Sequence, residues 1–191
     1  MPSIAICWFR RDLRLHDHPA LTAALEAADV VIPLFVFDET LLAGRFASAN
    51  RTWFMREAVA ELAAALEARG APMRVALGRP ADVVPAIARA IGATDVFVTR
   101  DAAPYGRDRD RAVAARLEAA GVRFRPKRGL YVHEPDEVRT RDGRPFAVYG
   151  AFRRAWEALE RRPVLPAPAR IPGETGRRPD AVPAVPPPSA D

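Results

Sequence analysis

The sequence predicts a doubly wound α/β domain, and three observations carry that reading. Five short apolar runs occupy residues 3–9, 30–37, 73–77, 95–99 and 122–125. Helical patterns fill the intervals between them, and Gly70 and Gly121 stand where two of those helices have to stop. Strands alternating with helices imply a parallel sheet covered on both faces, because each right-handed crossover lays its helix on one face. The expected strand order is 3-2-1-4-5.

The elements follow in order. Residues 3–9 run apolar into a dense charge cluster, Arg10-Arg11-Asp12-Leu13-Arg14-Leu15-His16-Asp17-His18, before Pro19 opens a helix over 19–28. Proline suits a first helical position because its missing N–H has no intrahelical partner there. Residues 30–37 form the second strand. The most secure helix spans 51–69, with Phe54, Met55, Ala58, Val59, Leu62 and Leu66 at the spacing of one face and Gly70 as a left-handed stop. A strand at 73–77 leads to a helix at 81–91 in which Pro85 is read as a first-turn proline, and a strand at 95–99 leads to a helix at 107–120. The fifth strand is 122–125. Residues 1–135 thus make the α/β domain, and 136–162 a polar segment ending in an amphipathic helix at 149–161 built around Phe152, Trp156 and Leu159. Residues 163–191, nine prolines in 29, read as a linker or tail.

Bulk composition narrows the functional classes. At 191 residues, 49% hydrophobic and 28% charged, the chain is an ordinary globular size and mix. No apolar run approaches the roughly 20 residues of a membrane span, and no leader pattern opens the chain, so a cytoplasmic location is expected. Cys7 is the only cysteine, placed in an apolar strand as an inert thiol. The net charge of +5 comes almost wholly from arginine, since Lys127 is the only lysine, but it is scattered among carboxylates along helices; DNA binding by this chain alone is expected to be weak or absent.

Topology then locates a site. In open doubly wound sheets, ligands sit beyond the carboxyl ends of the strands where strand order reverses. With order 3-2-1-4-5 that point lies between the first and fourth strands, so Trp8, Phe9 and Arg10 face Thr99, Arg100 and Asp101, with Asp38 ending the second strand beside them. An arginine, two carboxylates and the aromatics Trp8, Phe35 and Phe37 suit a planar ligand with polar edges. Neither GxGxxG nor GxxxxGK[ST] occurs, which argues against a glycine-rich phosphate cradle. Asp38 and Asp101 each have a second reading as turn caps, and Arg10 and Arg11 as partners of Asp12, Asp108 or Asp110. His16-Asp17-His18 lacks a third ligand for zinc and reads as helix-start architecture. No nucleophile, base and orienting group fall at a workable spacing, so no catalytic residue is assigned and binding outranks catalysis.

Four ordered blocks carry a resemblance. Residues 8–21, Trp8-Phe9-Arg10-Arg11-Asp12-Leu13-Arg14-Leu15-His16-Asp17-His18-Pro19-Ala20-Leu21, are followed by Pro33-Leu34-Phe35-Val36-Phe37-Asp38, by Pro104-Tyr105-Gly106-Arg107-Asp108-Arg109-Asp110 and by residues 145–156, from Pro145-Phe146 to Ala155-Trp156. Together they resemble the N-terminal α/β domain of the DNA photolyase and cryptochrome family. The resemblance implies a Rossmann-like domain that holds a light-harvesting antenna chromophore. The family's larger helical domain binds FAD and damaged DNA, and the match covers only residues 3–160. FAD is therefore expected only with a helical domain supplied in cis or in trans, and this chain alone is expected not to act as a carbon–carbon lyase. By the same resemblance Arg10, Phe35, Asp38, Arg51, Phe54, Asp101 and Tyr105 match the antenna pocket. The expected chromophore is 8-hydroxy-5-deazaflavin or FMN. Methenyltetrahydrofolate is disfavoured, because Ala103 stands where folate-binding relatives carry a glutamate. The alternative is a stand-alone flavin- or nucleotide-binding or interaction module of the same fold.

Overall fold

The computed structural model describes residues 2–44, 47–174, 176–178 and 180–184. Five parallel strands, β1 (Ile4–Phe9), β2 (Val30–Asp38), β3 (Arg74–Gly78), β4 (Asp95–Thr99) and β5 (Arg123–Lys127), form one sheet in the order β3-β2-β1-β4-β5. Helices α1 (Pro19–Ala27) and α3 (Ala49–Glu67) cover one face, α4 (Pro80–Ala90) and α5 (Pro104–Ala119) the other. The strand order and the fold class are those the sequence predicts. A four-residue helix, α2 (Glu39–Leu42), follows β2 directly and was not foreseen.

Strand alternation divides the core in two. Ala5, Cys7 and Phe9 point into one cluster with Leu21, Phe35, Leu62 and Leu66, while Ile6 and Trp8 point into the other with Leu34, Val96, Val98, Val113 and Leu117. β1 is central, so both of its faces are sealed, and burial together with the nearby Asp12 charge pushes the Cys7 thiol well up. Three helices open on a proline at the first position, Pro19 in α1, Pro80 in α4 and Pro104 in α5, and the last starts α5 three residues ahead of expectation. α4 begins at Pro80, so Pro85 lies in its second turn and leaves the Ala81 carbonyl without its helical donor; Arg116 Nη1 bonds that oxygen at 3.3 Å.

The sheet edges are guarded. β5 carries Pro126 and three cations, which discourages further strand pairing. At β3, the Asp180 backbone N–H donates to the Met73 carbonyl at 3.3 Å and its carboxylate accepts from Val75 N at 3.1 Å. The proline-rich segment after 163 is thus extended but anchored: Asp17 N donates to Leu165 O, Ile171 N to Arg69 O and Val31 N to Pro172 O, at 2.7–2.8 Å. Ile171 is 1% exposed and belongs to the core of the α1/α3 face. A segment of linker composition is thus docked by Ile171 and Val182 and by backbone hydrogen bonds to its carbonyls. The part of the tail from 185 onward lies outside the described residues. Helix α6 (Tyr149–Glu157) buries none of its residues, and its ring contacts run to the preceding segment, Trp156 to His133 at 5.0 Å and Phe152 to Phe146 at 6.4 Å. Among the described residues no helix is long and apolar enough to cross a membrane.

Asp95, at the foot of β4, accepts from Arg123 Nε at 2.8 Å and Nη2 at 2.6 Å and from Arg125 Nε at 3.0 Å. These bonds, Arg123's first, outweigh burial and hold its carboxyl well below the usual range. A carboxyl depressed in the folded state contributes stability that is complete above its unfolded value, about 3.9, and is lost as pH falls through the folded value. Urea midpoints are expected to be level for this group from pH 5 to 7 and to drop below about pH 4, with a smaller drop over that acid range in Asp95→Asn.

Candidate functional site

Two cavities meet at the carboxyl edge of the sheet. The inner one, about 110 Å³, lies above the ends of β1 and β2 and is walled by Trp8, Arg10, Phe35, Asp38, Pro80 and Arg109, with Leu41, Leu42 and Met55 on its outer side. Those last three residues also wall a second cavity of about 210 Å³, which continues past Ser48, Arg51 and Thr52 at the first turn of α3. The space opens one strand away from where strand order alone places it. Arg10 is the reason: its guanidinium hydrogen-bonds the Thr99 carbonyl and the Asp110 carboxylate, closing the gap between β1 and β4.

The inner cavity is aromatic and cationic. The Arg10 guanidinium carbon lies 4.8 Å from the centre of the Trp8 ring and that of Arg109 5.3 Å, and both guanidiniums bond Asp110. Burial pulls the Arg10 guanidinium down from its ordinary value, and Asp110 opposes this. Trp8 is 1% exposed, and its indole N–H has no partner within the described protein. A buried donor left unsatisfied costs about 1–3 kcal/mol, and this one belongs to a residue that lines the cavity, its nitrogen itself closed to water. Asp38 has two tasks. One oxygen accepts from Thr40 N at 3.1 Å and caps α2; the other accepts from the Tyr105 hydroxyl at 2.5 Å, tying α5 to β2 across the rim. Burial first, and this bond second, raise the Tyr105 phenol.

Of the residues singled out in the sequence, Arg10, Phe35 and Asp38 line the inner cavity, Arg51 the outer one, and Tyr105 closes the rim through Asp38. Phe54 is 70% exposed, on the face of α3 that also carries the exposed Glu57 and Glu61. Asp101 lies off both cavities. Its carboxylate accepts from Ala103 N at 3.0 Å, faces Arg109 at 3.6 Å and Arg11 at 3.5 Å, and presses on Gly106, where a Cβ would stand 2.3 Å from its Cγ. That crowding explains the glycine after Pro104-Tyr105. Sequence reasoning missed Arg109, Met55, Leu41, Leu42 and Pro80 as wall residues. Met55 was visible only as part of a helical stripe, and nothing in the alternating charges of 107–111 distinguishes Arg109.

His18 does what helix-start chemistry requires. Its Nδ1 accepts from Leu21 N at 3.0 Å, so the ring proton sits on Nε2, 2.9 Å from Asp12 Oδ2. Two clefts of about 400 and 420 Å³ exist elsewhere, beside Arg14 and Arg162 and along the aromatic 131–156 segment. They are larger, but the strand-edge cavity joins convergent cations and aromatic walls at the place where this topology collects ligands.

Comparison with known proteins agrees with this architecture. The DNA photolyase family model matches residues 5–171. The chain is 35% identical over 187 residues to a cryptochrome DASH of Natronomonas pharaonis, covering 95% of this chain and 40% of that protein. It superposes on a class III photolyase from Agrobacterium tumefaciens with a TM-score of 0.85 at 29% identity, over 95% of this chain and 38% of the other. An archaeal photolyase from Sulfolobus tokodaii, described with two FAD molecules and a novel light-harvesting cofactor, shares the fold at a TM-score of 0.79 and 24% identity, over 90% of this chain and 38% of the other. The chain therefore spans about two-fifths of the length of each of these relatives. A match over most of the chain, on the same sheet order and at the N-terminal part of longer proteins, makes this chain a member of the DNA photolyase and cryptochrome family, folded as its N-terminal α/β domain.

Proposed function

We propose that this domain binds an antenna chromophore of the flavin type, 8-hydroxy-5-deazaflavin or FMN, in the paired cavities at the carboxyl edge of the sheet. The observation that carries the reading is a cavity wall that combines the Trp8 and Phe35 side chains with two buried guanidiniums, Arg10 and Arg109. A planar chromophore suits that wall, because its aromatic face can lie against the guanidiniums and the Phe35 ring. The outer cavity gives its side chain room toward Arg51. Bound there, the chromophore would absorb light and pass the excitation on; the protein's part is to hold it rigidly and exclude water. Ala103, at the cap position of α5, offers no carboxylate to a folate, which supports a flavin over methenyltetrahydrofolate.

The partner of such a domain is a helical FAD domain, in cis or in trans. Val132 and Phe152, both at least 36% exposed, border the 420 Å³ cleft with Phe146 and Trp156, and Val148, Tyr149 and Leu159 are exposed in the same segment, an apolar surface of the kind that protein contacts cover. Repair chemistry belongs to that assembly.

Equilibrium dialysis against FMN and against a deazaflavin tests the reading. The folded chain is expected to retain at least one of them, and Asp38→Ala to weaken retention about tenfold, the loss of one hydrogen bond made by a charged group together with the α2 cap behind Leu41 and Leu42. A folded chain that retains neither overturns the proposal.

A further inference from the structure

We infer that Arg109 is an electrostatic guard that keeps the aromatic wall of the cavity from quenching a bound chromophore by electron transfer. The inference rests on the chromophore-binding reading above and adds a requirement that binding alone does not meet: an antenna is useful only while its excited state survives.

A photoexcited flavin or deazaflavin is a one-electron oxidant, and indole and phenol are the most easily oxidised rings at this site. Trp8 lines the cavity and Tyr105 crosses its rim. In the quenching step one electron passes from the Trp8 π-system to the excited chromophore, giving an indole radical cation and a chromophore radical anion. No bond breaks, and Nε1 keeps its proton. The electron then returns and the excitation is lost as heat.

The charges around the two rings oppose the first of these transfers. The Arg109 guanidinium carbon lies 5.3 Å from the Trp8 ring centre and 5.9 Å from that of Tyr105, so one cation sits over both oxidisable rings. Arg10 adds a second positive charge 4.8 Å from Trp8. Their side chains are 8% and 7% exposed, so water and salt screen them little. A cation over a ring face favours the neutral, electron-rich ring and penalises a positive hole on it. The carboxylates here face the guanidiniums: Asp110 bonds both, Asp101 stands 3.6 Å from Arg109, and Asp12 bonds the Arg10 backbone N–H. Asp38 acts in the other direction, because it accepts the Tyr105 hydroxyl and would ease loss of an electron from that ring by taking its proton. Tyr105 is the ring that most needs a guard, and Arg109 is the cation placed over it.

The test is the fluorescence lifetime of FMN bound to the chain, with affinity measured separately. Arg109→Gln is expected to shorten the lifetime about tenfold, the scale of one desolvated cation–π contact acting on a rate. Arg109→Lys, which keeps the cation, should stay near wild type. Adding Trp8→Phe, or Tyr105→Phe if the phenol is the donor, to Arg109→Gln should restore the lifetime. An unchanged lifetime in Arg109→Gln overturns the inference. So does a shortening that Arg109→Lys shares and that removing both rings does not reverse, since it would report loosened packing. If the wild-type chain retains no FMN, it is the binding reading that fails, and the guard is then read in the apoprotein. In a Trp53→Phe/Trp156→Phe background, one-electron oxidation by azide radical in pulse radiolysis should yield more Trp8 radical with Arg109→Gln than with Arg109→Lys, and equal yields overturn it.

Discussion

Replacing Asp12 with alanine is expected to lower the unfolding free energy by about 3–5 kcal/mol, a large part of the 5–15 kcal/mol that holds a typical domain together. The residue is 2% exposed and joins three parts of the chain. One carboxylate oxygen accepts from Arg10 N at 2.9 Å; the other stands 2.9 Å from His18 Nε2. Burial alone would raise its carboxyl, but bonds from His18, Thr99 and the Arg10 backbone overrule it and leave the group well below the usual range. Removing the carboxylate takes away the group 2.9 Å from the Nε2 of His18, itself 1% exposed, and frees the ring whose Nδ1 caps α1. Thermal and urea unfolding check this. Asp12→Asn, which keeps an acceptor for Arg10 N, should lose clearly less than Asp12→Ala; equal losses would mean that only the shape of the side chain matters.

Ile171→Ala is expected to cost about 2–5 kcal/mol, the range for truncating a fully buried aliphatic side chain. Such a loss is out of proportion for a residue in a proline-rich segment without helix or strand. It follows from Ile171 lying in the core beside Leu66, Ala71 and Met73, with its N–H bonded to Arg69 O. Gly173 shows the same closeness, since a Cβ there would stand 2.4 Å from the Gly70 carbonyl oxygen. The measurement is the urea midpoint of the variant at fixed slope. A change below about 0.5 kcal/mol, the scale of a surface substitution, would show that the segment is undocked in solution.

These two residues mark the boundary of what the sequence discloses. The helix start at Pro19, the capping role of His18, the stop at Gly70 and the alternation of β1 between two faces were all legible, because each depends on neighbours within a few positions. The strand order was legible too, since short crossovers with a fixed hand leave few topologies. Phe54 was misplaced in the apolar stripe of α3: it shares the exposed face of Glu57 and Glu61 rather than the face of Met55, Val59, Leu62 and Leu66. For Arg10 the sequence left both a site role and a partner among Asp12, Asp108 and Asp110 open; only the fold selects Asp110, a hundred residues later, whose grip closes one gap and leaves the cavity to open beside β2.

The sequence by itself determined the family, the five strands and their order, and the edge of the sheet where a ligand belongs. These rest on local periodicity, capping chemistry and the handedness of crossovers. Only the tertiary structure decided which side of β1 holds the cavity, that Arg109 lies over Trp8 and Tyr105, and that the proline-rich segment is part of the core. Each of those depends on one charge or one apolar side chain meeting partners far away in the chain, and no pattern along the sequence encodes such a meeting.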